Sequence, residues 1–163
     1  MKRMLTGIVL LAALTACSPY INIPAQPGDV ATHGPNNGTV IRVMAAGLNA
    51  VLARREAPGP YAVALPAGTE AETYQAVLSR LPDGGVALEE DRAGRAVYSV
   101  AAVYVRGTSA QVDIVRRSTA GEPQLVSAYM KLGIDGWYVH RVRPWSIAPG
   151  EALDLAYPGQ DID

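Results

Sequence analysis

The only cysteine of the chain, Cys17, is the residue whose chemistry the sequence defines best. It follows a cationic start at Lys2 and Arg3 and an apolar run from Met4 to Leu14. This order is typical of a secretory signal, because a span that crosses a bilayer needs about 18 or more apolar residues. A single thiol also leaves no disulfide within the chain. We therefore expect a signal peptide at residues 1–16 and a modified cysteine directly after it.

The residues before the cysteine, Leu14-Thr15-Ala16, together with Cys17 resemble the lipobox of bacterial lipoproteins. The resemblance implies that signal peptidase II recognises Leu14, Thr15 and Ala16 and cuts before Cys17, which carries diacylglyceryl and acyl chains. Several chains on one residue attach a protein stably to a membrane, whereas one chain binds only marginally. In Gram-negative lipoproteins, a serine such as Ser18 rather than an aspartate after the cysteine implies export to the outer membrane, with the protein in the periplasm or at the cell surface. A secreted chain with an incidental cysteine is the alternative.

The charge of the remaining chain gives no sign of nucleic-acid binding. Without residues 1–16, 12 Lys and Arg oppose 15 Asp and Glu, which gives a formal charge of −3. Basic side chains concentrate in residues 92–145, where 8 of them oppose 3 acids, and the last 18 residues hold 4 acids and no base. We expect no cofactor and no metal, because no phosphate loop, dinucleotide fingerprint, zinc spacing or calcium loop occurs.

Composition divides the chain after the signal peptide into three parts. Residues 17–38 are rich in Pro and Gly and predict a tether that holds the domain away from the lipid. Residues 39–145 carry the sustained apolar periodicity of a folded domain, and residues 146–163 predict an acidic, flexible tail.

The apolar pattern of residues 39–145 predicts an α+β domain. A helical spacing over residues 39–56 and a strand at residues 61–66 come first, and the capping box Thr69-x-x-Glu72 then predicts the start of a second helix. Two hairpins follow, around Gly107-Thr108 and Asp135-Gly136. We expect two helices packed on a curved, mainly antiparallel sheet of about four to six strands.

Alternation predicts the register of the first hairpin. A two-residue turn at Gly107-Thr108 sets apolar residues opposite each other on one face. The opposite face is expected to be wetter. The predicted pairs are Val105 with Ala110, Val103 with Val112 and Ala101 with Ile114, and the wetter face carries Tyr104, Gln111, Asp113 and Arg117.

The second hairpin combines an alternating and a non-alternating part. Its turn at Asp135-Gly136 places Trp137 and Val139 beside Ile134 and Leu132 on the apolar side, with His140 outward beside Lys131. Because alternation fails after Val139, we expect a bulge or strand end near Arg141, which turns Arg141 and Arg143 outward. A slip of one residue would instead bury His140.

Two helices followed by a meander that ends in "DGWYVHRVRPW" resemble the cone-shaped fold of the nuclear-transport-factor-2-like superfamily over residues 39–145. The resemblance implies an architecture in which helices and sheet enclose an apolar pocket. None of the catalytic residues of that superfamily can be matched to this chain, so the resemblance carries no activity.

Two clusters could do chemistry. The cations Arg116, Arg117, Lys131, Arg141 and Arg143 are candidate anion-binding residues, because guanidinium and ammonium groups donate charge-assisted hydrogen bonds to phosphates and carboxylates. A solvated strand face is the alternative. Glu89-Glu90-Asp91 could serve a general acid or a cation, although consecutive acids are usually just solvated.

These features favour a lipid-anchored, non-enzymatic binding module of the cell envelope. Its partners would be the membrane, through the chains on Cys17, and an envelope protein or anionic polymer, but no nucleic acid. The alternative function is a small hydrolase or isomerase with a pocket between helices and sheet, in which His140 or a carboxylate acts as base.

Overall fold

The computed structural model describes residues 20–29, 33–55, 59–91, 94–117 and 122–145 of the 163-residue chain. Within these ranges two α-helices pack on a mixed, mostly antiparallel sheet of seven strands, which confirms the predicted α+β class. The helices are α1 (Gly38–Leu52) and α2 (Ala71–Leu78). The strands are β1 (Tyr20–Ile23), β2 (Tyr61–Ala64), β3 (Gly85–Ala87), β4 (Ala96–Arg106), β5 (Ser109–Arg117), β6 (Gln124–Gly133) and β7 (Gly136–Pro144).

The strands follow the order β3-β2-β4-β5-β6-β7, and β1 pairs with the second half of β4. Strand β2 runs parallel to both β3 and β4, and α2 connects β2 to β3 as a parallel crossover requires. The four long strands β4 to β7 form an antiparallel meander. Tight turns between β4 and β5 and between β6 and β7 therefore lie at the same end of the sheet.

Helix α1 covers one face of the sheet with a fully buried apolar stripe that includes Met44 and Leu48. Its contact with β5 is close, because a Cβ on Gly47 would lie 3.0 Å from the Cβ of Val112. The helix starts where the side chain of Asn37 accepts a hydrogen bond from the amide of Thr39 at 2.9 Å. Apolar side chains fill the space between helices and sheet, and the helical pattern ends at Leu52 rather than at residue 56.

The predicted capping box at the start of α2 is wrong. The hydroxyl of Thr69 donates to the carbonyl of Pro66 at 2.6 Å, and Glu70 is the N-cap residue without a side-chain cap. Asn36 takes over part of the role, because its side chain accepts from the amide of Glu70 at 2.9 Å and donates to the carbonyl of Gly68 at 3.0 Å. A residue 34 positions away in sequence thus satisfies an exposed donor at this helix start.

The register of the first hairpin is confirmed near the turn and shifted further away. Val105 lies opposite Ala110 and Val103 opposite Val112, as predicted. The pairing of Ala101 with Ile114 is wrong, because the register shifts between Val100 and Ala102 and sets Val100 opposite Ile114. A bulge at Ala101 keeps valine, rather than alanine, on the core side of β4.

The second hairpin contains the predicted bulge. Trp137 pairs with Leu132 as expected, but the register shifts so that Val139 lies opposite Met130 and Arg141 opposite Tyr129. The extra residue of β7 is therefore His140, which is exposed rather than buried by a slip. His140 does not lie beside Lys131 as predicted. Tyr138 takes that place, since it is the register partner of Lys131.

The predicted tether is corrected at its start. Tyr20–Ile23 forms β1 and pairs antiparallel with β4, so that Ile21 and Ile23 lie opposite Val105 and Val103. Both isoleucines are buried in the main core, which gives these four residues the same alternation as the other strands. The signal peptide and the tail at residues 146–163 lie outside the described residues, and the remaining domain limits stay predictions.

Candidate functional site

The sheet face that points away from α1 and α2, called here the open face, carries a set of polar side chains, of which Asn22 and Ser127 are buried and Arg141 and Arg143 are exposed. The predicted wetter side of the first hairpin lies on it, as alternation requires. Neighbouring strands are in register, so their side chains form rows across the sheet. One row contains Asn22, Tyr104, Gln111, Tyr129 and Arg141, and the next contains Ala102, Asp113, Ser127 and Arg143.

Asp113 is the centre of a hydrogen-bond chain on the open face. Its Oδ1 accepts from Gln111 Nε2 at 2.8 Å and from the hydroxyl of Ser127 at 2.5 Å. The same Ser127 oxygen accepts from Trp145 Nε1 at 3.0 Å. The chain links β5, β6 and the residue after β7, so it fixes the indole ring of Trp145 on this face.

Two arginines on β7 lie over aromatic rings. The guanidinium carbon of Arg143 is 3.7 Å from the centroid of the Trp145 ring, and that of Arg141 is 5.6 Å from the Tyr129 ring. Both arginines are exposed, and neither forms an ion pair with any other described residue. Cation–π attraction to the rings favours these positions of the guanidinium groups and does not use their N–H donors, which can meet an anion.

The five candidate cations are not one cluster. Lys131, Arg141 and Arg143 lie in adjacent rows of the open face, where Lys131 also donates to the hydroxyl of Ser109 at 2.7 Å. Arg117 lies on the same face at the far end of β5. Arg116 is on the opposite face, because it shares the side of Ile114, and it donates to Gln124 Oε1 at 3.1 Å.

Tyr104 lies between the Asp113 network and β1. Burial raises the pKa of its phenol above the ordinary value of about 10, and the negative charge of Asp113 raises it further while Arg106 lowers it. The phenol therefore stays neutral at physiological pH and acts as a hydrogen-bonding, partly apolar surface rather than as a base.

The other candidates have no converging geometry. Glu89 and Glu90 are exposed at the end of a short 3₁₀ turn, and Asp91 accepts from the amide of Arg95 at 2.8 Å. No group of three or more metal-ligating side chains comes together within the ranges described. His140 is exposed at the bulge of β7. None of these positions resembles a built catalytic site.

Sequence reasoning did not connect the aromatic rings of this site with its arginines. Tyr129 and Trp145 were not connected to the arginines, because each pair comes together only through the register of β6 and β7 or through the Ser127 bond. The sequence did contain a sign of this arrangement, because Arg141, Arg143 and Trp145 alternate along β7 and the residue after it. It becomes readable only once the bulge at His140 is located.

Comparison with known proteins identifies the N-terminal segment. Residues 1–18 match the model of the prokaryotic membrane lipoprotein lipid attachment site. No curated protein and no solved structure matches the chain, so the superfamily resemblance of the domain stays a prediction. Within the described ranges, no helix has the length and apolar character needed to span a membrane. The chain is thus a lipid-anchored membrane lipoprotein of the cell envelope, with its attachment site in residues 1–18 and an α+β domain that this match leaves unassigned.

Proposed function

We propose that this lipoprotein is a non-enzymatic binding module whose open face, near the edge strand β7, engages an anionic partner in the cell envelope. One observation carries the proposal. Arg141 and Arg143 are exposed on one face, each over an aromatic ring, and neither is neutralised by another described residue. We call these two arginines with Tyr129 and Trp145 the arginine strip.

The arginine strip suits phosphate and carboxylate groups. A guanidinium offers several N–H donors in a planar fork, and an aromatic ring beneath it restricts its motion without using those donors. Less conformational freedom is then lost when an anion binds. Both guanidinium groups already lie over aromatic rings, Arg143 closely and Arg141 more loosely, so the strip is partly preorganised.

The spacing of the two cations favours a repeating anion. Residues two apart on a strand point to the same side and are about 7 Å apart. A polymer with phosphate or uronate groups can meet both guanidinium groups with successive units. An acidic envelope protein is the other occupant that such a surface could take, and the test below separates the two.

The competing hydrolase or isomerase requires a pocket between helices and sheet. Fully buried side chains, among them Met44, Leu48 and Met130, occupy that space. The close approach of Gly47 to Val112 brings α1 directly against β5 at this point. His140 is exposed at the bulge of β7 and is not among the buried residues that fill this space. This packing favours a binding role over catalysis within the domain.

The test compares two charge reversals of equal size. Arg141→Glu with Arg143→Glu changes the arginine strip, and Arg42→Glu with Arg80→Glu changes two exposed arginines of the helical layer. The mature lipidated protein in detergent micelles is titrated with polyphosphate and with polygalacturonate by calorimetry at low salt. The strip variant is expected to lose binding by at least 10-fold, and the helical variant to retain it.

Salt and partner identity complete the test. Exposed ion pairs are worth about 0–1 kcal/mol each and are screened within about 10 Å at 0.1 M salt, so binding is expected to weaken strongly between 20 and 200 mM salt. Equal loss in both variants would indicate a nonspecific charge effect and contradict the proposal. A third outcome is that neither polymer binds the wild-type protein. If the wild-type protein then captures an acidic envelope protein and the strip variant does not, the partner is that protein.

We also propose that the protein resides in the outer membrane, facing the periplasm or the cell surface. The support is Ser18, which follows the attachment cysteine where an aspartate in similar Gram-negative lipoproteins implies retention. Membrane fractionation of the wild-type protein and of Ser18→Asp tests this. The variant is expected to move to the inner membrane, and Ser18→Ala, which removes the hydroxyl without adding charge, is expected to stay with the wild type.

A further inference from the structure

The large exposed apolar side chains of the domain gather at one end of the sheet. This end, called here the hairpin end, consists of the start of β1, the β4–β5 turn and the β6–β7 turn. Among the described residues, the exposed large hydrophobic side chains are Tyr20, Leu132, Ile134 and Tyr138, with exposed fractions of 47%, 45%, 105% and 54%, and all four lie there. Their clustering at one end marks a surface that favours an apolar or interfacial environment.

Cations accompany these apolar side chains. The last row of the sheet on the open face runs from Tyr20 through Arg106, Ser109 and Lys131 to Tyr138. Two tyrosines thus flank two cations at the edge of the sheet. Amphipathic aromatics and long basic side chains above apolar residues are typical of protein surfaces that meet the lipid headgroup region.

The attachment site lies next to the hairpin end. Only residues 18 and 19 separate Cys17 from Tyr20, the first residue of β1. Three residue steps of extended chain span at most about 11 Å. Lipid chains at Cys17 therefore hold the first residue of β1, and with it this end of the sheet, within about one headgroup layer of the membrane.

Strand β1 is fastened to the sheet and cannot act as a loose tether. Besides its pairing with β4, Arg106 donates from Nη1 to the carbonyl of Ile21 at 2.9 Å and from Nη2 to Asn22 Oδ1 at 2.5 Å. The same guanidinium lies 3.6 Å from the centroid of the Tyr20 ring. The short distance to the lipid thus applies to the hairpin end of the folded sheet and not only to a loose strand.

We infer that the hairpin end of the sheet rests on the bilayer that holds the lipid of Cys17. Leu132 and Ile134 enter the boundary between headgroups and acyl chains, Tyr20 and Tyr138 lie at the interface, and Arg106 and Lys131 face lipid phosphates. Because the lipid anchor already confines the domain to the surface, even a weak contact is enough to set its orientation. The inference does not depend on the anionic partner proposed above.

Site-directed spin labelling of the lipidated full-length protein tests the orientation. Cys17 is the only cysteine, and its thiol is taken up by the lipid, so Ile134→Cys supplies a unique thiol at a fully exposed position. Glu122→Cys is the matched control, since it is exposed and precedes the opposite end of β6, about 30 Å away along nine strand steps. Both are reconstituted in vesicles of phosphatidylethanolamine and phosphatidylglycerol.

Accessibility to oxygen and to a water-soluble nickel chelate gives the depth of each label. Relative to the same labels on residues 18–163 in solution, which lack both Cys17 and its lipid, the label at residue 134 in vesicles is expected to gain oxygen accessibility and lose nickel accessibility by several-fold, and the label at residue 122 is expected to remain aqueous. Adding Leu132→Asp, also at an exposed site, is expected to return the label at residue 134 toward water. Circular dichroism of each variant checks the fold.

The orientation would be overturned by aqueous labels at both positions, or by a label at residue 122 that is deeper than that at residue 134. An unchanged depth after Leu132→Asp would also contradict the contact, because the label would then follow the lipid anchor alone.

Discussion

Arg106 is predicted to be the residue that keeps the lipid-proximal strand in the sheet. Its guanidinium donates to the carbonyl of Ile21 and to the side chain of Asn22, and it lies over the ring of Tyr20. At this partly buried site, two such hydrogen bonds contribute about 0.5–1 kcal/mol each and the cation–π contact about 0.5–1 kcal/mol. Arg106→Met is therefore expected to weaken the attachment of β1 by about 2 kcal/mol.

Hydrogen exchange followed by mass spectrometry measures this loss locally. A loss of about 2 kcal/mol corresponds to roughly 30-fold faster opening, so amides in peptides that cover β1 should exchange roughly 30-fold faster. Amides of β5 and β6 should keep their protection, because neither strand pairs with β1.

Two control variants show which property of Arg106 matters and whether its position does. Arg106→Lys retains the positive charge but loses the planar fork, so its effect on β1 is expected to be intermediate. Arg42→Met removes an exposed arginine that donates to the hydroxyl of Thr39 at 3.3 Å, and β1 should not respond. Unchanged exchange of β1 in Arg106→Met would refute the reasoning, because register pairing alone would then hold the strand.

Three further predictions concern the core, the open face and the lipid. Gly47→Val is expected to lower the free energy of unfolding by about 1–3 kcal/mol in denaturant titrations, because its Cβ would crowd Val112, whereas Ala50→Val on the same helix should cost less. Because the pKa of Tyr104 is raised in the folded protein, its phenol ionises at a lower pH in the unfolded chain. The free energy of unfolding is therefore unaffected below about pH 9 and falls as pH rises through about 10. Tyr104→Phe should make this alkaline decline less steep, and an unchanged slope would contradict it. Cys17→Ser should abolish labelling by radioactive fatty acid and leave the signal peptide uncleaved; lipidation that persists would disprove the site.

Alternation and turn residues were sufficient to predict where the long hairpins turn and which of their faces is apolar. Gly107-Thr108 and Asp135-Gly136 fix where each hairpin turns, and the apolar face then follows along the strands. The bulge on β7 was predictable because it interrupts alternation between large side chains. The bulge at Ala101 was not, because alanine and valine neighbours in β4 are all apolar and give no break in the pattern.

Contacts that depend on tertiary structure could not be predicted in the same way. Strand β1 is only four residues long and is followed by Pro24, so its pattern resembles a proline-rich tether until β4 supplies a partner. The start of α2 resembles a capping box locally, yet Asn36 from a distant loop provides the bonds. In both cases the deciding partner is far away in sequence.

The open face has two basic regions, Arg106 with Lys131 at the hairpin end and the arginine strip further along β7. If the hairpin end lies on the bilayer, these two regions meet different anions. Arg143 is seven residues along β7 from Gly136, which places it about 20 Å from the turn when the bulge is allowed for. Screening at physiological ionic strength acts over about 8 Å, so lipid phosphates at the hairpin end cannot account for binding at the arginine strip. The double reversal of Arg141 and Arg143 should therefore abolish polymer binding while the label at residue 134 keeps its depth. A label that leaves the bilayer in that variant would show that the whole face, rather than its end, lies against the membrane.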